Sequence, residues 1–415
     1  MGGLTRAARR LLIDSLGRVS LGRPFSVLWG ANAASNLADG LAFVSIPLLA
    51  TSFTDDPRWV AGLSTMYALI RLLVALPIGV WVDRVDRRTI LIVANVLRGA
   101  AVLGLAICVQ LDVGGLVLLY AAYAIIGTLE SAADNAAVSL VPGIVQKDEL
   151  DTANGRISAA QLVADEFAGP PLGGFLFMVA AAAPVFTMGG LWAAAGLIAL
   201  ALPVRGGAAP SPPAARASIW REAAEGASWL VRHRVIGGLA LIGALASIGY
   251  MLPFSILVIF VHEQLGVDGV GYGLILAVSA LGGLVGSFAT ARIRSSIGYR
   301  WTIVASLLVG AASLLVLAAT DSAVLAAVLL AIYILHAVVW GICSTSLRQR
   351  LVPDALRGRV NAASRVLGLI GLAIGSLLGG ILAVAHIALP VAVGGAVFVV
   401  CAGTALILLR SVETD

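Results

Sequence analysis

The sequence predicts an all-α polytopic membrane protein, with twelve transmembrane helices in two six-helix bundles related by a pseudo-two-fold axis. Three observations predict it. The 415 residues are 60% hydrophobic and 12% charged, a balance that a soluble fold of this size could not cover with polar surface. Apolar stretches of about 20 residues, the length that crosses a bilayer core of about 30 Å, recur along the whole chain. The second half also echoes the first, with Gly79 matching Gly286, Asn154 matching Asn361, and Gly173-Gly174 matching Gly379-Gly380 at offsets of 206 or 207 residues. Two six-span copies begin on the same side of the membrane, which places their symmetry axis along its normal.

Residues 1–24 carry Arg6, Arg9, Arg10, Arg18 and Arg23 around Leu11, Leu12, Ile13 and Leu16. This suits an amphipathic segment on an anionic cytoplasmic leaflet. The small-residue pattern at Ala31–Ala33 is not read as a signal-peptide site, because the apolar run continues to about Ala50. The expected spans are 25–51, 59–82, 89–110, 115–138, 157–180 and 184–204, then 235–261, 270–292, 300–319, 322–344, 362–385 and 388–409. An N-terminal bundle therefore fills 25–204 and a C-terminal bundle 235–409, with a cytoplasmic tail at 410–415. Residues 205–234 form the cytoplasmic linker; it opens on the Gly/Pro/Ala-rich run Arg205–Arg216, and Ile219–Val231 reads as a helix along the membrane surface.

Charge sets the orientation. Loops on the side of the N-terminus hold Arg84, Arg87, Arg88, Lys147, Arg292, Arg294, Arg300, Arg348, Arg350, Arg357 and Arg359 among others; the opposite loops hold Arg58 among Asp55, Asp56, Asp112, Glu263, Asp268 and Asp321. Both termini are thus expected in the cytoplasm of a cell whose inner membrane the chain spans repeatedly. The basic pI near 9.4 reflects this loop bias and not a nucleic-acid partner. Cys108, Cys343 and Cys401 fall inside spans without metal or disulfide spacing. With no ATP-binding loop, catalytic triad or metal cluster, enzymatic chemistry, metals and other cofactors are not expected.

Polar residues inside the spans are costly and mark function. In the first span Asn32, Ser35, Asn36 and Asp39 fall at i, i+3, i+4 and i+7, one polar stripe. Glu130 and Asp134 share a face of the fourth span, a spacing at which two carboxylates hinder each other's ionisation. Asn154, Ser158, Gln161 and Asp165 line a face of the fifth, beside Glu166. Asp39, Glu130, Asp134, Asp165 and Glu166 are the proton-coupling candidates, the first, second and fourth foremost. Arg71 lies deep in its span and is expected to pair with Asp39 or Asp165; Arg98 is placed within reach of the cytoplasmic side, and Arg365 one turn into the eleventh span. The second half has no intramembrane acid. Its Tyr250, Met251 and Phe254, with Tyr333, His336 and Trp340, are aromatic, soft or titratable groups that either pack or line a substrate cavity with Asn32, Asn36 and Gln161.

After the second span comes Gly79-x-x-x-Asp83-Arg84-x-x-Arg87-Arg88. This resembles the loop signature of the major facilitator superfamily, with Asp86 where the pattern usually has glycine. Asp134-Asn135-Ala136 and Leu150-x-x-Ala153-Asn154-Gly155 resemble the branch of macrolide-efflux and enterobactin-exporter-like proteins. Gly169-Pro170-Pro171-Leu172-Gly173-Gly174 resembles the core of the antiporter motif of drug exporters, although its upstream glycines are absent and Tyr123 stands where those exporters carry a fourth-span arginine. Gly282-x-x-x-Gly286 is the expected packing partner of that core. The resemblance implies a monomeric alternating-access transporter that exports an amphipathic small molecule, of the kind that confers multidrug resistance, in exchange for protons. It also implies a conformational latch in which Asp83 meets the start of the eleventh span. A nutrient importer, or a lipid flippase or membrane sensor on the same fold, remains the alternative.

Overall fold

A computed structural model describes residues 21–82, 85–203, 219–353 and 356–410. Among these residues the chain is helical throughout, without strands. The first bundle runs α1 (Gly22–Thr51), α2 (Pro57–Val82), α3 (Arg87–Gln110) and α4 (Leu116–Ile144). A short 3₁₀ turn, Lys147–Glu149, leads into α5 (Leu150–Gln161), a π-helical stretch (Leu162–Ala168) and α6 (Gly169–Val179), which together make the fifth span; α7 (Ala182–Ala199) is the sixth. After α8 (Ile219–Arg232) come α9 (Arg234–Phe254) and α10 (Leu257–Glu263), α11 (Gly269–Leu317), α12 (Ala323–Leu351), α13 (Arg357–Ala385) and α14 (Leu389–Leu408).

Local chemistry explains the breaks. Asp86 caps α3, its carboxylate accepting from the Thr89 amide at 3.1 Å. Asp268 caps α11 through the Gly271 amide at 2.8 Å. Both satisfy amides that a helix start leaves unpaired. The 49 residues of α11 would extend about 73 Å at 1.5 Å per residue, more than twice the bilayer core. Gly298, at φ 76°, interrupts them and divides the stretch into the eighth and ninth spans. Only glycine enters that region without a Cβ penalty. The expected seventh span, 235–261, is a broken one: α9 stops just past Pro253, and α10 resumes after Ser255 and Ile256. With these two joined and α11 divided, the described residues contain twelve spans.

The two bundles pack through α2 against α13 and through the fifth span against α11. A Cβ on Gly380 of α13 would stand 2.8 Å from the Ala61 Cβ and 3.0 Å from the Arg58 Cα. A Cβ on Gly273 of α11 would stand 2.5 Å from the Pro170 carbonyl oxygen, and one on Gly174 would run into the Gly269 backbone. All of these contacts lie toward the arginine-poor face. Among the described residues the halves are thus clamped together there, while Gln161 and Arg365, toward the arginine-rich face, stay exposed.

Candidate transport site

Two ion pairs occupy the interior of the first bundle. In one, Arg98 of α3 donates through Nη2 to Asp39 Oδ1 of α1 and through Nη1 to Ser35 Oγ at 3.2 Å. Ser35 Oγ in turn donates to Asn95 Oδ1 at 3.1 Å, and the guanidinium lies over the Trp192 ring at 4.4 Å. The Arg98 side chain is 0% exposed. The sequence places this arginine near the cytoplasmic side; the structure buries it completely, because Asn95 and Arg98 share the α3 face that meets α1. Burial in a low dielectric makes a partner obligatory, and Asp39 supplies it.

The second pair joins α2 to α4. Tyr67 Oη donates to Glu130 Oε2 at 2.5 Å. Arg71 Nη1 reaches the Tyr67 hydroxyl at 3.2 Å and Glu130 Oε1 at 3.4 Å, with its side chain 29% exposed. Arg71 therefore pairs with Glu130, and not with Asp39 or Asp165. Tyr67 and Arg71 are one helical turn apart and project together onto α4. There Tyr123 stacks on the Tyr67 ring at 5.1 Å between centroids. A Cβ on Gly127 would stand 2.9 Å from that ring, so glycine makes the space in which Tyr67 reaches Glu130. The position where drug exporters carry an arginine thus holds an aromatic support for a tyrosine–carboxylate contact. Sequence reading missed Tyr67 and Trp192; the spacing of Tyr67 to Arg71 was the available signal.

The remaining candidates are spread along the same bundle. Asp134 is half-buried one turn beyond Glu130, and Asp165 is half-buried in the π-helical stretch. The Glu166 side chain lies outside the described residues. Asn36 is buried and donates to the Asn32 carbonyl at 2.7 Å, so this amide is engaged within its own helix. Gly169 and Gly173 pack on α1, where a Cβ would meet Gly40 Cα at 2.5 Å and Ser45 Oγ at 2.9 Å respectively. The π-helical stretch immediately precedes Pro170-Pro171, whose missing amides break the regular ladder of backbone bonds. Gly282 and Gly286 do not face this segment: they pack on Ala331 and Leu335 of α12, and Gly269 and Gly273 take that role.

In the second bundle the aromatic stripes form a core instead of a cavity wall. Tyr250 stacks on Phe254 at 4.4 Å, Phe254 on Tyr333 at 6.0 Å, and His336 meets Phe398 edge-on at 4.9 Å. Tyr333 and His336 are 0% and 1% exposed, which removes them as cavity residues, and the His336 Nδ1 lies against the Tyr333 carbonyl. Tyr250, Met251, Phe254 and Trp340 are half-buried, at the margin of this cluster.

The loop between α2 and α3 is only partly described. Asp83 and Arg84 lie outside the described residues, as do the surroundings of Gly79. Arg87 donates to the Ser139 carbonyl at 3.0 Å and Arg88 to the Leu200 carbonyl at 2.6 Å. Arg88 thereby caps the end of α7, where carbonyls lack partners, and Arg87 ties the start of α3 to the C-terminal part of α4.

A family model described as transmembrane secretion effector matches residues 22–415. The chain belongs to that family of major facilitator superfamily transporters. It is a multi-pass membrane transporter and not an enzyme. Enterobactin exporter EntS of Escherichia coli O1:K1 / APEC is 24% identical to this transporter over 86% of the chain and 85% of the relative. The protein of the same name from Citrobacter koseri is 25% identical over the same shares. Among solved structures, a bacterial homologue of the iron transporter ferroportin in an inward-facing state superposes with a TM-score of 0.74 at 18% identity, covering 94% of this chain and 99% of that one. A bacterial homologue of the human lysosomal transporter Spinster gives 0.71 at 15% identity, covering 94% and 97%. These likenesses show the fold.

Proposed function

We propose that this transporter exports an amphipathic small molecule of the siderophore or natural-product kind by alternating access, in exchange for protons, and that Glu130 is the exchanging carboxylate. Bundles 25–204 and 235–409 rock about the space between them, with both termini in the cytoplasm and one chain sufficient. The observation that carries this reading is the unequal burial of the two arginines, Arg98 at 0% and Arg71 at 29%.

Protonating Asp39 would strand Arg98, a buried cation with no access to water, at a cost of about 3–5 kcal/mol. Protonating Glu130 releases Arg71, which is 29% exposed and in this reading is hydrated or takes up an anionic cargo group. The neutral acid keeps its hydrogen bond to Tyr67, so the α2–α4 contact survives the proton. Because α2 also carries the contact to α13 at Ala61, a change in its seating is passed directly to the other bundle. Asp39 acts here as a fixed counter-ion. The relatives named as enterobactin exporters support outward transport of a small molecule.

The test is transport into everted vesicles under an imposed pH gradient, with siderophores and macrolides as cargo. Glu130→Gln is expected to leave cargo exchange intact while abolishing its response to the gradient. A Glu130→Gln transporter that still accumulates cargo against the gradient would exclude this carboxylate.

A further inference from the structure

Outside the transport site, the arginine-rich ends of the eighth to tenth spans line an open cavity of about 410 Å³. We infer that it binds the phosphate of an anionic phospholipid from the arginine-rich leaflet. Two guanidinium groups converge on it. Arg294 lies over the Tyr299 ring at 5.0 Å and Arg350 over the same ring at 5.2 Å, so their charges are held no more than about 10 Å apart by a shared aromatic support. The reversal at Gly298 creates this arrangement by returning the chain so that Tyr299 sits beside Arg294.

Among the described residues neither arginine meets a carboxylate, whereas Glu225, on the same face, pairs with Arg359 at 2.8 Å. The Thr290 hydroxyl at the cavity wall is already donated to the Gly286 carbonyl at 2.5 Å. The donors left to a ligand are the two guanidinium groups with Ser346 and Gln349. A donor set with two fixed positive charges selects a phosphate-class anion.

Depth decides for a lipid as its source. Thr290 lies 21 residues along α11 from Gly269, about 32 Å of helix, which matches the hydrocarbon thickness and puts Arg294 at headgroup level. Further into the span along α11 and α12, Leu284, Phe288 and Ile342 are 37%, 79% and 39% exposed, an apolar surface for acyl chains below a cationic seat for the headgroup. The arginine bias of this leaflet adds attraction for anionic lipid.

Native mass spectrometry of the full-length protein, given equal phosphatidylglycerol and phosphatidylcholine, tests the site. Phosphatidylglycerol should be retained preferentially, and R294Q/R350Q should lower its affinity about thirtyfold while leaving phosphatidylcholine unchanged. R294K/R350K, which keeps both charges, should retain most of the preference. If the double glutamine variant does not purify as a folded protein, R350Q alone, at an exposed position, should lower the affinity about fivefold. Equal retention of the two lipids, or glutamine variants that bind like the parent, would overturn the proposal. Thermal stabilisation by millimolar inorganic phosphate equal to that by short-chain phosphatidylglycerol would overturn the lipid as source and leave a soluble-anion site.

Discussion

The first bundle contains the same chemical unit twice, an arginine against a carboxylate on a neighbouring helix, in two different settings. Arg98 and Asp39 are sealed between α1 and α3 under Trp192. Arg71 and Glu130 stand at the α2–α4 contact with Tyr67 bonded to the carboxylate and part of the arginine exposed. The same pairing chemistry is therefore found once with a fully buried cation and once with a partly exposed one. Burial of the cation, and not the identity of the acid, separates the two settings.

The largest expected effect is on the sealed pair. Arg98→Ala leaves Asp39 without its counter-charge and should cost about 3–5 kcal/mol, measured by chemical unfolding in detergent. Arg98→Met combined with Asp39→Asn should recover most of that loss, since removing both charges removes the need for pairing. A double variant as unstable as the single one would show that the pair does more than neutralise itself, and the comparison would fail.

At the half-exposed pair the effect should be smaller. Tyr67→Phe deletes the hydroxyl bonded to Glu130 and should cost about 1.5–3 kcal/mol by the same measurement. Gly127→Val should approach that value, because it pushes the ring away from the carboxylate. A Tyr67→Phe variant with unchanged stability and unchanged pH response would separate Tyr67 from the proton site.

Pairs nearer solvent extend the series downward. Glu225 and Arg359 tie the surface helix α8 to the start of α13, with side chains 45% and 33% exposed. Glu225→Gln should cost at most about 1 kcal/mol, and less as salt is added. Smallest is the contribution of Asp56, in the loop before α2. Side-chain hydrogen bonding to Arg58 holds its carboxyl below the usual carboxylate range. A depressed folded value means stability that is present above the unfolded pKa and lost as pH falls through the folded one. Asp56→Asn should therefore differ slightly from the parent in a thermal melt at neutral pH and converge on it as the pH falls through the depressed range of this carboxyl.

The two bundles also show how a repeated fold can carry unequal chemistry. Tyr250, Phe254, Tyr333, His336 and Phe398 fill in the second bundle the interior that charged pairs occupy in the first. Their spacing in sequence gave a shared face for each stripe, which is compatible with packing or with a cavity. Which of the two applies depends on Phe398, more than 60 residues downstream of Tyr333.

Hydropathy, the arginine asymmetry between loops and the glycine repeat are local or periodic features, and they were sufficient for the membrane class, the twelve spans and the superfamily signature. The restriction of intramembrane acids to the first half was equally plain, because an ionisable residue in an apolar run stands out whatever it touches. Partner choice was not. Arg98 and Asp39 are 59 residues apart and Arg71 and Glu130 also 59, and one-dimensional spacing offered Arg71 several acids at comparable depth. Only helix packing determines which face of α3 meets α1 and which face of α2 meets α4. That packing decides which arginine is buried and which carboxylate each arginine meets.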